Sequence, residues 1–286
     1  MRILLFGASG TAGGAVLRAC LNTPVVEDVR VVVRRTLGRT EGKQREFVHT
    51  NYLDYTAVAE AFRAVDACLF CLGTSVTQVR KEEFVKISHD YAVAAARMLK
   101  KESLGAAFHY ISGAGTRAES NRFWSKVKGQ TENELMELVE ADCWRPAFID
   151  AEPSASLPKA YAALRPALRL LRPFRSLYVA GEDLGRAMLA ATRQGLRRRV
   201  IKECGDSGTG GAVWGVEGPY QRPNGAVTER TSPSAATSGG KRGSTSRSTG
   251  EGRPGRLLPC RKCSTDARRS KTKRLTSGAT SRTAGN

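Results

Sequence analysis

No apolar run in this 286-residue chain is long enough to span a bilayer, which takes about 20 residues. The stretch Arg2-Ile3-Leu4-Leu5-Phe6 breaks at once into a glycine turn and is too short for a secretory core. Histidine is scarce: His49, His89 and His109 fall in separate predicted elements, which favours structural or surface roles. The seven cysteines are an odd number in a chain with no export signal, which argues for reduced thiols and a cytoplasmic location. Two Cys-x-x-Cys pairs, Cys68/Cys71 and Cys260/Cys263, have zinc-compatible spacing. The first falls in a predicted buried strand and the second in an unstructured segment, so no metal site is expected.

Apolar periodicity is itself missing beyond Lys202. Residues 203–286 are rich in Gly, Ser, Thr, Arg and Pro, and their few aliphatic residues follow no period. Such a segment buries too little apolar area to offset its ordering entropy. The expectation is one folded domain over residues 1–202 and a disordered, low-complexity basic tail over 203–286. The abrupt shift is what GC-rich DNA read in a wrong frame would give, so a frameshifted C-terminus is expected, with a genuine disordered extension as the alternative. The net charge of +19 divides almost evenly, the tail holding fifteen Lys/Arg against six Asp/Glu. It has no Lys/Arg block and no Arg-Gly-Gly repeat, so nucleic-acid binding is not expected.

Within residues 1–202, strand and helix patterns alternate. Strands are expected at 3–6, 29–33, 47–48, 67–72, 107–111 and 143–144, with a last short one at 199–201. Helices are expected at 13–21, 57–64, 82–101, 121–140, 158–171 and 182–193. This alternation predicts an α/β fold, a doubly wound parallel sheet of Rossmann type in a single domain. Ligands in such sheets bind beyond the carboxyl ends of the strands.

The segment Gly7-Ala8-Ser9-Gly10-Thr11-Ala12-Gly13 follows the first strand and opens the first helix. Gly7 suits a tight turn, Gly10 lets the backbone approach a phosphate, and Gly13 lets the helix pack close to the strand. With the helix dipole behind it, the turn is suited to a dinucleotide's pyrophosphate. At the end of the second strand an NAD-preferring site carries an acidic residue for the ribose hydroxyls. This chain has Arg34-Arg35 there, a pair suited to a 2′-phosphate, so NADP is expected over NAD.

These features occur in the order and spacing of a known group. The glycine turn, Cys71-Leu72-Gly73-Thr74, Tyr110-Ile111-Ser112-Gly113, Trp124-Ser125-Lys126-Val127-Lys128 and Arg145-Pro146 resemble an atypical short-chain dehydrogenase/reductase. The likeness is greatest to bacterial epimerase/dehydratase-like proteins related to the human Tat-interacting oxidoreductase group. The resemblance covers residues 1 to about 202. It implies that Ser112 and Lys128 are catalytic, Lys128 also binding the ribose. It puts Trp124 at the position of the usual catalytic Tyr, four residues before Lys128, where an indole N–H has no useful acidity. It further implies cofactor contacts from Gly7, Ser9, Gly10, Thr11, Ala12, Gly13, Leu72, Gly73, Thr74 and Pro146, with Asn51 reaching the adenine.

Two functions follow as expectations. One is an NADP(H)-dependent oxidoreductase or epimerase of a small-molecule substrate bound between the strand ends and the 158–171 helix. The other, favoured by the missing Tyr, is a non-catalytic NADP(H)-binding regulator that reports redox state to a protein partner.

Overall fold

The computed structural model describes residues 1–38, 41–150, 178–204 and 213–217. The strands are β1 (Arg2–Phe6), β2 (Asp28–Val33), β3 (Gln44–Val48), β4 (Ala67–Phe70), β5 (Ala107–Ile111), β6 (Asp142–Arg145), β7 (Phe148–Asp150), β8 (Tyr178–Ala180), β9 (Val200–Cys204) and β10 (Val213–Glu217). The helices are α1 (Thr11–Leu21), α2 (Lys81–Val85), α3 (Tyr91–Glu102), α4 (Phe123–Val139) and α5 (Gly181–Arg193). Eight strands form one sheet in the order β10-β9-β6-β5-β4-β1-β2-β3, while β7 and β8 pair separately. Among the described residues, only β9–β10 is antiparallel in this sheet. The run β3-β2-β1-β4-β5-β6 is the doubly wound order, reversing direction between β1 and β4.

The strands read as near-continuous apolar runs because both faces of the sheet are covered. Ile3 and Leu5 face α1 and α5, packing with Val16, Leu184 and Met188. Leu4 and Phe6 face the opposite layer, with Phe62, Phe70, Phe108 and Leu135. The α1–α5 crossing is close because Gly185 has no Cβ; one built there would lie 2.6 Å from the Ala19 Cβ. Among the described residues no helix is long and apolar enough to cross a membrane.

Three expectations change. The 57–64 helix is a 3₁₀ segment, Thr56–Phe62, with Val58 out of helical geometry and Ala64 at φ +53° turning the chain into β4. The 82–101 helix is interrupted by a π turn at Lys86–Asp90 between α2 and α3. The ordered chain also extends beyond 202: β9 runs to Cys204, and β10 adds an edge strand whose Trp214 is buried against Trp144, ring centroids 5.1 Å apart. Burial of that indole outweighs the polar composition around it. The expected 158–171 helix, and the rest of the expected tail, lie outside the described residues.

Candidate dinucleotide site

The phosphate turn is built by two close backbone approaches. Gly7 sits at φ +80°, and a Cβ there would lie 2.7 Å from the Cys71 carbonyl and the Leu72 nitrogen. A Cβ on Gly13 would lie 2.1 Å from the Gly7 oxygen. The Gly10 N–H donates to Gly7 O at 2.9 Å, and Gly14 N–H donates back to Gly10 O at 2.8 Å. These contacts point the first turn of α1, with Thr11 and Ala12, out from the carboxyl edge of the sheet. No acidic residue stands in that turn to compete for an anion.

Two adjoining cavities open at this edge. One, of about 350 Å³, is lined by Gly7, Ser9 and Gly10, by Leu72, Gly73 and Thr74, and by residues of α2 and the π turn. The other, of about 410 Å³, runs from Gly7 and Ser9 along the end of β2 past Arg34, Arg35, Thr36 and Leu37. Tyr52 lines both, its phenol reaching the Val32 carbonyl at 3.3 Å. Burial pushes that phenol up to about 12, so it stays protonated. Asn51, the expected adenine contact, lines neither cavity; its side-chain oxygen accepts the Leu53 N–H at 3.3 Å. A Cβ on Gly73 would meet nothing within 4 Å. The residues present therefore fit an extended dinucleotide: a cradle of N–H groups for its phosphates, open space beside Gly73, and cations at one end.

Ser112, Lys128, Trp124 and Pro146 gather at the carboxyl ends of β5 and β6. The Ser112 and Gly113 N–H groups donate to the Trp144 carbonyl, and Ala114 N–H donates to Pro146 O at 2.8 Å. The 113–122 loop lies against α4 because Gly129 has no Cβ; one built there would stand 2.2 Å from the Ala118 nitrogen. Ser125 ties the same loop down, donating to Gly115 O at 2.8 Å and accepting the Arg117 N–H at 3.0 Å. Trp124 packs beside Gly115, 3.5 Å from where a Cβ would stand.

The Lys128 ammonium donates to the Ser112 carbonyl at 2.7 Å. Burial pushes its pKa down to about 8, against the opposing pull of Glu132. The Ser112 hydroxyl is itself buried and donates to Glu132 Oε1 at 2.5 Å, with the Trp144 carbonyl 3.1 Å away. Arg145 closes on the same carboxylate from Nε at 2.9 Å and Nη2 at 2.5 Å. Tyr110 is not a substitute proton donor at this site, since its buried phenol donates to the Ser88 carbonyl at 2.8 Å.

The sequence reading missed Glu132 and Tyr52. Glu132 lies four residues after Lys128, on the same helix face, and that spacing was the available signal. Cys68 and Cys71 are both free thiols, Cys68 buried in β4 and Cys71 lining the first cavity.

Comparison with known proteins agrees with this geometry. Residues 3–134 match the model of the NAD dependent epimerase/dehydratase family. The chain is 26% identical to Protein HTATIP2 of Rattus norvegicus over 166 residues, 56% of this chain and 68% of the relative. Uronate dehydrogenase from Agrobacterium tumefaciens superposes with a TM-score of 0.52 at 15% identity, covering 67% of this chain and 71% of that one. The Bordetella bronchiseptica enzyme WbmH, solved in complex with NAD+, superposes with a TM-score of 0.51 at 14% identity, covering 67% and 72%. At these identities the structural likeness speaks for the fold. Residues 3–134 are thus similar to the NAD dependent epimerase/dehydratase family, and the fold is the Rossmann type that the superposed dehydrogenase shares.

Proposed function

We propose that the protein binds NADP(H) and acts as an oxidoreductase or epimerase on a small-molecule substrate. The observation that carries the cofactor choice is the cavity in which Arg34, Arg35 and Thr36 adjoin Gly7 and Ser9. Two guanidinium groups at the end of β2 suit a 2′-phosphate, whereas a carboxylate there suits a free 2′-hydroxyl. Bound NADP(H) supplies or takes up the hydride. The chain's part is to hold the phosphates on the α1 turn and to present Lys128 at the end of β5. With a pKa near 8, Lys128 exchanges a proton at ordinary pH more readily than a solvated lysine. Cys20, Cys68, Cys71 and Cys143 are all free thiols, which supports a reducing, cytoplasmic setting.

A second reading, a non-catalytic NADP(H)-binding redox sensor with a protein partner, is favoured by one observation. The Ser112 hydroxyl is turned into Glu132, and Trp124 stands where the proton-donating Tyr is usual. Titration of the full chain with NADPH and NADH, followed by nicotinamide fluorescence, tests the shared core. Tighter NADPH binding is expected; tighter NADH binding rejects the arginine argument, and no binding rejects both readings. NADPH consumption across a panel of carbonyl compounds then separates the two. Turnover that depends on Lys128 supports the enzyme, and binding without turnover supports the sensor.

A further inference from the structure

We infer that Glu46 is a positioning residue for cofactor discrimination, bracing the loop that carries Arg34 and Arg35 so that the pair stays aimed at a 2′-phosphate. The inference rests on the NADP(H) reading above.

Glu46 stands in β3, paired in register with Val31 of β2, and the loop leaves β2 just beyond Val33. Its carboxylate reaches over that exit. Thr36 donates its hydroxyl to Glu46 Oε2 at 2.7 Å, and the Leu37 N–H donates to the same oxygen at 3.2 Å. Gln44 donates its amide to Oε1 at 3.1 Å. The Thr36 hydroxyl also accepts the Gly38 N–H at 3.2 Å, so one carboxylate organises three consecutive residues after Arg35. Thr36 and Leu37 line the same cavity as Arg34 and Arg35.

A carboxylate beside a phosphate site repels its ligand unless donors face it. Here the donors are Thr36, Leu37 and Gln44. Asp28, the other acidic residue on these two strands, is held by Arg30 at 2.8 Å and by Arg45. Among the described residues neither Arg34 nor Arg35 forms an ion pair, so both charges face the cavity unneutralised. A guanidinium–phosphate pair is directional, and its strength falls when the fork is displaced. NADH has no 2′-phosphate and is insensitive to that aim. Loss of the brace therefore affects one cofactor and spares the other, which a merely structural carboxylate would not do.

The test is a fluorescence titration of the full chain with NADPH and with NADH. Glu46→Ala is expected to weaken NADPH about tenfold while NADH changes less than about twofold. Glu46→Gln keeps an oxygen for Thr36 or Leu37 and is expected to retain most of the preference. Thr36→Val removes one link only, and its smaller loss of preference carries the test if Glu46→Ala does not fold. Equal weakening of both cofactors, or an unchanged ratio in Glu46→Ala and Thr36→Val, overturns the inference and leaves the NADP(H) reading standing. A wild-type chain with no preference for NADPH overturns that reading and this inference with it.

Discussion

The hydroxyl of Ser112 ends on the carboxylate of Glu132, 2.5 Å away, and both side chains are buried at the carboxyl end of the sheet. Arg145 binds the same carboxylate through two nitrogens, which joins β5, α4 and β6 in one polar knot. Glu132→Ala takes this carboxylate away from both the Arg145 guanidinium and the Ser112 hydroxyl in a mostly buried setting. Breaking a pair of this kind costs about 3–5 kcal/mol. Urea unfolding should show a loss of that order, and a loss below about 1 kcal/mol would mean that the knot does not hold the strands.

The phosphate turn gives a paired prediction. Gly13→Ala puts a Cβ 2.1 Å from the Gly7 oxygen, between two backbones that cannot both give way. It should lower the melting temperature markedly and abolish cofactor binding. Gly73→Ala meets nothing within 4 Å and should leave the melting temperature unchanged. Its methyl enters the cavity lined by Ser9, Leu72 and Thr74, so NADPH affinity should still fall, by roughly tenfold. Unaltered affinity in Gly73→Ala would move the ligand elsewhere.

How much of this was legible depended on sequence distance. The turn at residues 7–13 could be read because its strand, its glycines and its helix are contiguous. Arg34 and Arg35 could be placed because the end of β2 is legible in the sequence, and the structure puts both on the cavity beside Gly7 and Ser9. Asn51 is the expected cavity residue, but its neighbour Tyr52 is the one that lines both cavities. Both follow β3, and only the local turn decides which side chain faces inward. Glu132 reads as an ordinary helix carboxylate until Arg145, on another element, arrives beside it. Trp214 was hidden for the same reason: a short edge strand carries no period of its own, and only the Trp144 ring shows it to be core. The π turn at Lys86–Asp90 leaves the apolar spacing of its helix nearly intact, so no pattern announces it.

That π turn carries a pH-dependent clamp. His89 donates from Nδ1 to Asp90 and from Nε2 to Glu134, each at 2.8 Å, which ties the turn to α4. Burial opposes the imidazolium, but the hydrogen bonds and charges of the two carboxylates outweigh it and raise the pKa above 6.5. Because the folded pKa is the higher one, the clamp contributes fully below the unfolded value and is lost as pH rises through the folded value. Melting temperature should decline over that interval in the wild type, and His89→Gln should flatten the decline. A slope that is identical in the variant would show that the clamp adds nothing.

A second histidine works in the opposite sense, in a buried cluster on β5 and β6. The Trp144 indole N–H donates to His109 Nδ1 at 3.1 Å, so Nε2 holds the ring proton and donates to Thr192 Oγ1 at 2.8 Å. Burial then drives the His109 pKa down to about 3, while burial raises Asp142, whose Oδ2 lies 3.8 Å from Nδ1, to about 7. Unfolding returns the histidine to about 6.5, so below that pH the unfolded chain takes up its proton and stability falls. Asp142 runs the other way: between about 4 and about 7 the folded chain holds the extra proton, and stability falls as pH rises. The two slopes oppose, and the wild type should be nearly flat between pH 4.5 and 6.5. Asp142→Asn keeps an acceptor for the Arg199 N–H but removes one titration, leaving the histidine alone. That variant should lose about 2 kcal/mol of stability on acidification from pH 6.5 to 4.5, read by urea unfolding at each pH. A flat profile in Asp142→Asn would show that His109 protonates freely in the folded chain and is not the neutral, locked ring that its contacts describe.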